Sequence, residues 1–354
     1  MRIQAYSLSH NYNITVGQGV LEVFPFEKLL ASHFVIIADP VAYQFSKKLL
    51  LRKFGDVAHM RNVIFVHGEG DKRPEKVLAI AHLLARKGVD RNAVIVGIGG
   101  GVVGDVSGFV ASIYKRGVRL IHVPTTLLAQ VDSSIGGKNG VNLAEGKNLL
   151  GTIFPPTAVI ADTMFLSQLP AKELRSGLSE IIKYALMFDR GLWKQLNNAD
   201  DLTLSQILSM IPRAIKIKVT VVKKDEHERG ERALLNYGHT VGHAIEAITG
   251  GAVNHGAAVA IGMRYELMYA IQKHIAPPSI LAALDDLLIK CGYQLTHPRM
   301  NMRLIAYMQR DKKNTKGNIC IVVPSEIGRS KSVNGSYVQF TKARDWKSIL
   351  SNDV

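Results

Sequence analysis

The chain of 354 residues is long enough for two domains, and its 47 % hydrophobic and 21 % charged residues are the balance of a globular protein with a sizeable core. No apolar run reaches the length of a membrane span, the start MRIQAYSLSH lacks a signal-peptide apolar stretch, and Cys291 and Cys320 alone build neither a disulfide framework nor a cysteine zinc site, so a cytoplasmic, non-membrane protein is expected. Lys and Arg outnumber Asp and Glu by 44 to 29, a net +15 that suits nucleic acid or an anionic small substrate, yet they are dispersed without a basic tail or basic–aromatic interleaving, so most read as a solvated face and the charge alone decides little.

After a short β-like start, short β-branched apolar runs alternate with helix-like sequence. They are 34–39 (FVIIAD), 62–67 (NVIFVH), 93–98 (AVIVGI) and 118–123 (VRLIHV), and 74–88 between them reads as an amphipathic helix from Pro74 to Gly88. Apolar strands alternating with helices predict βαβ units and a parallel sheet covered on both faces, an α/β nucleotide-binding architecture.

The turn after the third run, 99–105 (GGGVVGD), opens into the helix-like VSGFVASIYKRG. Glycines let backbone approach a pyrophosphate, whose charge then meets free amides at the helix N-terminus. The layout is not the standard dinucleotide fingerprint: the turn follows the third strand, and no acid ends the next strand. Asp39, closing the first run, is the candidate ribose acid. The segment 124–152 is too polar and glycine-rich for core and too long for an idle connection. Its hydroxyls (Thr125, Thr126, Ser133, Ser134), Asp132, and the pairs Lys138-Asn139 and Lys147-Asn148 suit a polyhydroxylated anion. A last strand, AVIAD, ends at Asp162.

From about Met164 the pattern becomes helical, so the expected domains are 1–163 and 164–354, the second mainly helical and metal- and substrate-binding. Glu180 and Lys183 project from the apolar SEIIKYALM, where a carboxylate is costly unless paired or metal-bound. Residues 232–256 concentrate three of the twelve histidines: His239, His243 and His255. Helical periodicity across ALLNYGHTVGHAIEAI puts His239 and His243 on one face, a turn apart. Gly250-Gly251 ends that helix, and His255 is expected in a short turn before the next. Two imidazoles from one helix, with a third or with Glu180, is a common metal-site pattern.

Six stretches carry a family resemblance: GGGVVGDVSGFVAS, PTTLLAQVDSSIGGKNGVN, GLSEIIKYA, DEHERGERALLNYGHTVGHAIEA, NHGAAVAIGM and DKKNTKG. Together they resemble the 3-dehydroquinate synthase family of sugar-phosphate cyclases, from about Val35 to Gly328. The resemblance implies an NAD-binding α/β domain and a helical zinc (or cobalt) domain, commonly in a homodimer. It implies conversion of 3-deoxy-D-arabino-heptulosonate 7-phosphate to 3-dehydroquinate and phosphate. Residue by residue it makes Glu180, His239 and His255 the metal ligands, whereas spacing alone pairs His239 with His243. His243 and Glu228 become acid–base residues, with Lys138, Asn148, Lys183 and Arg232 also catalytic. Arg116, Asp132, Lys138, Asn148, Lys218, Arg232, Asn236 and one of Lys312 and Lys313 match substrate contacts. For NAD the matches are Asp39, Glu69, Lys72, Gly100, Gly101, Val102, Asp105, Thr125, Thr126, Lys147, Phe165 and Gln168. Two departures stand out: Gln168 replaces the usual threonine of its turn, and the usual Asp-Glu-Arg-Glu is Asp225-Glu226-His227-Glu228. A metal-dependent polyol dehydrogenase and a sister cyclase share parts of these motifs, so both stay open at this point.

Overall fold

Strands alternating with helices build the first part of the chain, and mainly helices the second, in a computed structural model that describes residues 1–59, 62–199, 202–310, 314, 318–330, 332–333 and 335–351. Two units result, Met1–Pro170 and Ala171–Val354, so the turn Thr163–Gln168 stays with the first.

In chain order the first unit holds β1 (Arg2–Ala5), β2 (Tyr12–Gly17), α1 (Val20–Val23), β3 (Phe34–Ala38), α2 (Pro40–Phe54), β4 (Ile64–Phe65) and α3 (Pro74–Arg86). It continues with β5 (Val94–Gly99), α4 (Gly101–Ile113), β6 (Arg119–Pro124), β7 (Lys138–Leu143), β8 (Gly146–Ile153) and β9 (Ala158–Asp162). Seven strands form one sheet in the order β1-β2-β9-β6-β5-β3-β4, parallel except for the β1–β2 pair. Alternation along the strands divides their side chains between two cores. Ile36, Ala38, Val94, Val96 and Ile98 pack with Tyr43, Leu50 and Phe54 of α2. Val35, Ile37 and Ile95 pack with Val77, Ile80 and Leu84 of α3 and Val103, Val106 and Val110 of α4.

Two expectations need correction here. Helix α4 begins at Gly101, so Val102, Gly104 and Asp105 belong to its first turns and not to a preceding loop. The expected connection over 124–152 contains a π-type turn, Ala129–Ser133, and the antiparallel hairpin β7–β8, bulged between Val141 and Leu143.

The second unit comprises α5 (Ala171–Phe188), α6 (Arg190–Asn198), α7 (Leu204–Lys224), α8 (His239–Ile248), α9 (His255–Gln272), α10 (Ser279–Lys290) and α11 (Leu304–Met308). The antiparallel pair β10 (Ile319–Ile321) and β11 (Gln339–Thr341) and α12 (Lys347–Ser351) follow. Thr203 starts α7 with a capping box: its Oγ1 accepts from Gln206 N at 3.3 Å, and Gln206 Oε1 accepts from Thr203 N at 2.9 Å. Ser176 to Met187 of α5 are buried all round, the state of a helix at the centre of its unit.

The apolar periodicity over 233–248 does not make one helix. Gly238 takes a left-handed backbone, φ 79°, which separates a 3-10 turn, Glu231–Asn236, from α8. His239 is therefore the first residue of α8. His255 is likewise the first residue of α9, not part of a separate turn, with Asn254 as cap accepting from Ala257 N at 2.9 Å.

Candidate functional site

Glu180 on α5 is wholly buried, and its Oε1 makes no hydrogen bond among the described residues. Its Oε2 lies against the ammonium of Lys183, one turn on and equally buried. Its Oε1 is approached by Nε2 of His239 at 3.6 Å and Nε2 of His255 at 3.8 Å. One atom from each of the three residues lies within 4.8 Å of the others, a nitrogen–nitrogen–oxygen donor set of the kind that zinc or cobalt takes. A buried carboxylate with one oxygen against an ammonium and the other met by two imidazole nitrogens fits a divalent ion. His243 is exposed and groups instead with Glu246 and His255, so the His239–His243 pairing drawn from spacing is not the set that meets Glu180.

The helices carrying these groups are held by features the sequence reading passed over. Glu266 on α9 has no exposure, and its carboxylate accepts from the amides of Gly238 (2.9 Å), Thr240 (3.1 Å) and Val241 (3.2 Å). A carboxylate thus satisfies the N-terminal turn of the helix that begins with His239. Tyr237, two residues before α8, donates from its hydroxyl to Met263 O at 2.6 Å, a second tie of the chain entering α8 to α9. Nδ1 of His239 sits 3.1 Å from Tyr237 O, and Nδ1 of His255 sits 3.1 Å from Glu246 Oε2. Burial alone would lower the His255 imidazole, but Glu180 and Glu246 override it and hold the group up at about 9 before any ion binds. The signal for Glu246 and Glu266 was present, since each interrupts an apolar helical pattern as Glu180 does.

Other expected residues of this unit are placed as follows. Lys218 and Arg232 are buried cations, and Arg232 donates from Nη1 to the Glu226 carbonyl. Asp225 accepts from the amides of Arg229, Gly230 and Arg232 at 2.7–3.1 Å; burial raises its carboxyl, and these donors outweigh it and bring the group below its ordinary value. Asn236 donates to Glu228, whose backbone is left-handed at φ 58°. Lys312 and Lys313 lie outside the described residues.

In the first unit the chain steps outward from β3 to β4 and then returns to the other side of β3 with β5, so the sheet reverses direction between β3 and β5. Ligands of open α/β sheets bind beyond the strand C-termini at such a switch point. Asp39 N donates to Ile98 O at 2.9 Å there. Asp39 also caps α2, one oxygen accepting from Val41 N and Ala42 N at 2.9 Å each. Gly99 ends β5, Gly100 is the cap residue and Gly101 starts α4, whose N-terminus has no capping side chain. A Cβ on Gly99 would meet Val103 at 2.4 Å, and one on Gly100 would lie 3.1 Å from Thr126, so glycine is required for this turn to pack.

Thr125 and Thr126 follow β6, and Glu69 and Lys72 follow β4. Lys72 is nearly buried, with Nζ 2.5 Å from Asp105 Oδ2. Burial raises the Asp105 carboxyl, and the ammonium opposes this only in part. Asn142 on β7 donates to Glu69 Oε1 at 2.7 Å and accepts from Asn148 N at 3.0 Å, which ties the hairpin to this end of the sheet. Asp132 lies in the π-type turn, and Arg116, Lys138, Lys147 and Asn148 are exposed. Phe165 is core, its ring 5.4 Å from Phe45, so only its backbone remains for a ligand; Gln168 is exposed. Arg116 (φ 60°), Asn148 (φ 54°) and Glu228 (φ 58°) are left-handed non-glycine residues, a costly conformation that tends to collect at functional sites.

A parallel sheet with a glycine turn at its switch point, together with a helical unit carrying a Glu–His–His cluster, is the architecture of the sugar-phosphate cyclases. A solved structure of 2-deoxy-scyllo-inosose synthase, complexed with carbaglucose-6-phosphate, NAD+ and Co2+, is similar at TM-score 0.88 and 27 % identity, over 99 % of this chain and 100 % of that one. The 2-epi-5-epi-valiolone synthase of Streptomyces hygroscopicus, with NAD+ and Zn2+ bound, is similar at TM-score 0.84 and 26 % identity over all of both chains. The family models for the 3-dehydroquinate synthase N-terminal and C-terminal parts match residues 62–176 and 177–314. The 3-dehydroquinate synthase of Dictyoglomus thermophilum is 45 % identical over 272 residues, 75 % of this chain and 76 % of that protein. The chain belongs to the 3-dehydroquinate synthase family.

Proposed function

We propose that the chain converts 3-deoxy-D-arabino-heptulosonate 7-phosphate to 3-dehydroquinate and phosphate, as a phosphate-eliminating lyase that uses NAD and one divalent ion. Family membership supports the reaction, and the observation that carries the metal assignment is the buried Glu180 carboxylate, its Oε1 faced by His239 and His255 with donor atoms of all three within 4.8 Å.

Glu180, His239 and His255 would hold the ion, which supplies a Lewis acid that lowers the pKa of a substrate hydroxyl. Asp39, Glu69, Lys72, Gly100 with Gly101, Val102 and Asp105 of the start of α4, Thr125, Thr126, Lys147 and the backbone at Phe165 would hold NAD, which supplies a hydride acceptor that gives the hydride back within the same turnover. Gln168 would retain a hydrogen-bonding side chain at its turn. The remaining work falls to side chains of this protein. Lys183, Lys218 and Arg232 are buried cations that would add positive charge toward an anionic substrate. The exposed Arg116, Lys138 and Asn148 add charge and hydrogen bonds for a phosphate and a carboxylate. His243, exposed one turn beyond His239, would move the proton between carbon or oxygen and solvent. Asn236 donates to Glu228 and so orients its carboxylate for the same exchange. Asp132 would fix a hydroxyl. Holding each intermediate for the next step raises the effective concentration of the reacting groups. A cytoplasmic homodimer is proposed on the family resemblance and the two free cysteines; light scattering on the purified protein tests the assembly.

The experiment supplies the heptulosonate phosphate with NAD at a small fraction of its concentration. Phosphate and dehydroquinate should form over many turnovers per NAD, without lasting absorbance near ~340 nm, because the hydride is returned. Accumulation of NADH without phosphate release would place the chain among the polyol dehydrogenases.

A further inference from the structure

His255 presents its two ring nitrogens to two different carboxylates. Nε2 points toward Glu180 Oε1 at 3.8 Å, and Nδ1 lies 3.1 Å from Glu246 Oε2. Glu246 stands near the end of α8 and His255 at the first residue of α9, and close helix packing fixes their separation: a Cβ on Gly242 would lie 3.2 Å from the backbone of Ala258. The Glu246 side chain is 11 % exposed, so its hydrogen bond competes little with water.

We infer that Glu246 is a positioning residue for the metal centre: by accepting the Nδ1 proton of His255 it fixes the ring's tautomer and leaves the Nε2 lone pair directed at the point shared with His239 and Glu180. This role rests on the metal set proposed above. His239 is held in the same sense, with Nδ1 against the Tyr237 carbonyl at 3.1 Å and Nε2 toward Glu180. The two histidines therefore turn the same nitrogen inward, but their outer partners differ, a neutral carbonyl for one and a carboxylate for the other. A carboxylate partner makes an imidazole the stronger donor to a cation. The alternative assignment, Glu246 as ligand of a second ion with His243 and His255, would require one imidazole to give both nitrogens to two cations and to lose both ring protons.

The test measures Zn2+ affinity by chelator competition on four proteins: the parent, Glu246→Ala, Glu246→Gln and His255→Ala. Each is first stripped of metal and its melting temperature recorded. Glu246→Ala should bind Zn2+ about 10–100-fold more weakly, the usual cost of losing such a partner, at an unchanged stoichiometry of one ion. Glu246→Gln keeps an oxygen acceptor without the charge and should recover part of that loss. In Co2+-loaded protein its visible ligand-field band should shift, because the His255 donor strength has changed. Metal-free melting temperatures matching the parent would show that the loss is not a folding defect, and Glu246→Gln carries the test if the alanine variant does not fold. Parental affinity in both Glu246 variants, with binding abolished in His255→Ala, would overturn the positioning role and leave the metal set standing. Parental affinity in His255→Ala would overturn the metal set itself. Two ions in the parent and one in Glu246→Ala would make Glu246 a ligand and overturn the positioning role.

Discussion

The backbone of Gly262 passes so close to the carbonyl of Gly238 that a Cβ added at Gly262 would lie 2.0 Å from that oxygen. Gly238 in turn has no room for a side chain, since its own Cβ would fall 2.8 Å from Val259 O. This contact sets the separation of α8 from α9, and with it the distance between His239 at one helix start and His255 at the other. Replacing a mid-helix glycine by alanine ordinarily gains about 1 kcal/mol. Gly262→Ala should instead destabilise the protein by about 1–3 kcal/mol, the usual cost of overpacking. Urea denaturation measures the loss, and metal content measured alongside should fall because α8 must move. An unchanged midpoint and full metal content would contradict the role of this contact.

The metal assignment makes a separate prediction. His239→Ala and His255→Ala should each lower bound metal and activity together, while His243→Ala should lower activity and keep the metal. Elemental analysis of purified variants, beside a phosphate-release assay, separates the two classes. Full occupancy in both of the first two variants would remove them from the ligand set.

How much of this was legible beforehand differs between the two units. Strands β3, β5, β6 and β9 were readable because each is buried on both faces, which forces an unbroken apolar run. The hairpin β7–β8 was not: Lys138, Asn139 and Gly140 open its first strand, and β8 exposes Leu149 and Leu150 in succession, so no period of two survives. Leu234 and Leu235 continue the apolar rhythm across Gly238, so periodicity predicts a histidine helix that starts too far upstream, because it does not register a left-handed break. Glu180 was legible as a carboxylate in an apolar face. Glu246 and Glu266 meet the same criterion, but what they hold depends on α8 and α9 lying side by side, which no local pattern shows.

Cys291 and Cys320 supply a third prediction. Both are buried, and burial, only partly opposed by Lys290, pushes the Cys291 thiol up to about 12. The thiolate is the reacting form, so almost none is present near neutral pH. An aromatic disulfide reagent should label neither cysteine in the native protein at pH ~8 within minutes, and both in denaturant. Rapid native labelling of Cys291 would show that the end of α10 opens readily.

The last prediction concerns acid. His122 on β6 is buried beneath α4, and a Cβ on Gly97 or on Gly104 would sit within 3.8–3.9 Å of its ring. Burial lowers its imidazole from 6.5 to about 4, so the native sheet holds it neutral. Its folded value lies below its unfolded one, and between the two the unfolded chain binds a proton that the native state does not. The stability it permits is therefore complete above about pH 6.5, declines as pH falls toward 4, and declines no further below that, a loss of about 3 kcal/mol at one unit per 1.36 kcal/mol. Hydrogen exchange of β5 and β6 peptides, corrected for the intrinsic effect of pH, reports the first unit directly. His122→Leu removes the titrating group, and the carboxylates common to both proteins cancel in the comparison. The variant should lose protection less steeply than the parent between pH 6.5 and 4 and match its slope above pH 6.5. Equal slopes across that window would mean that His122 is not held neutral in the folded sheet.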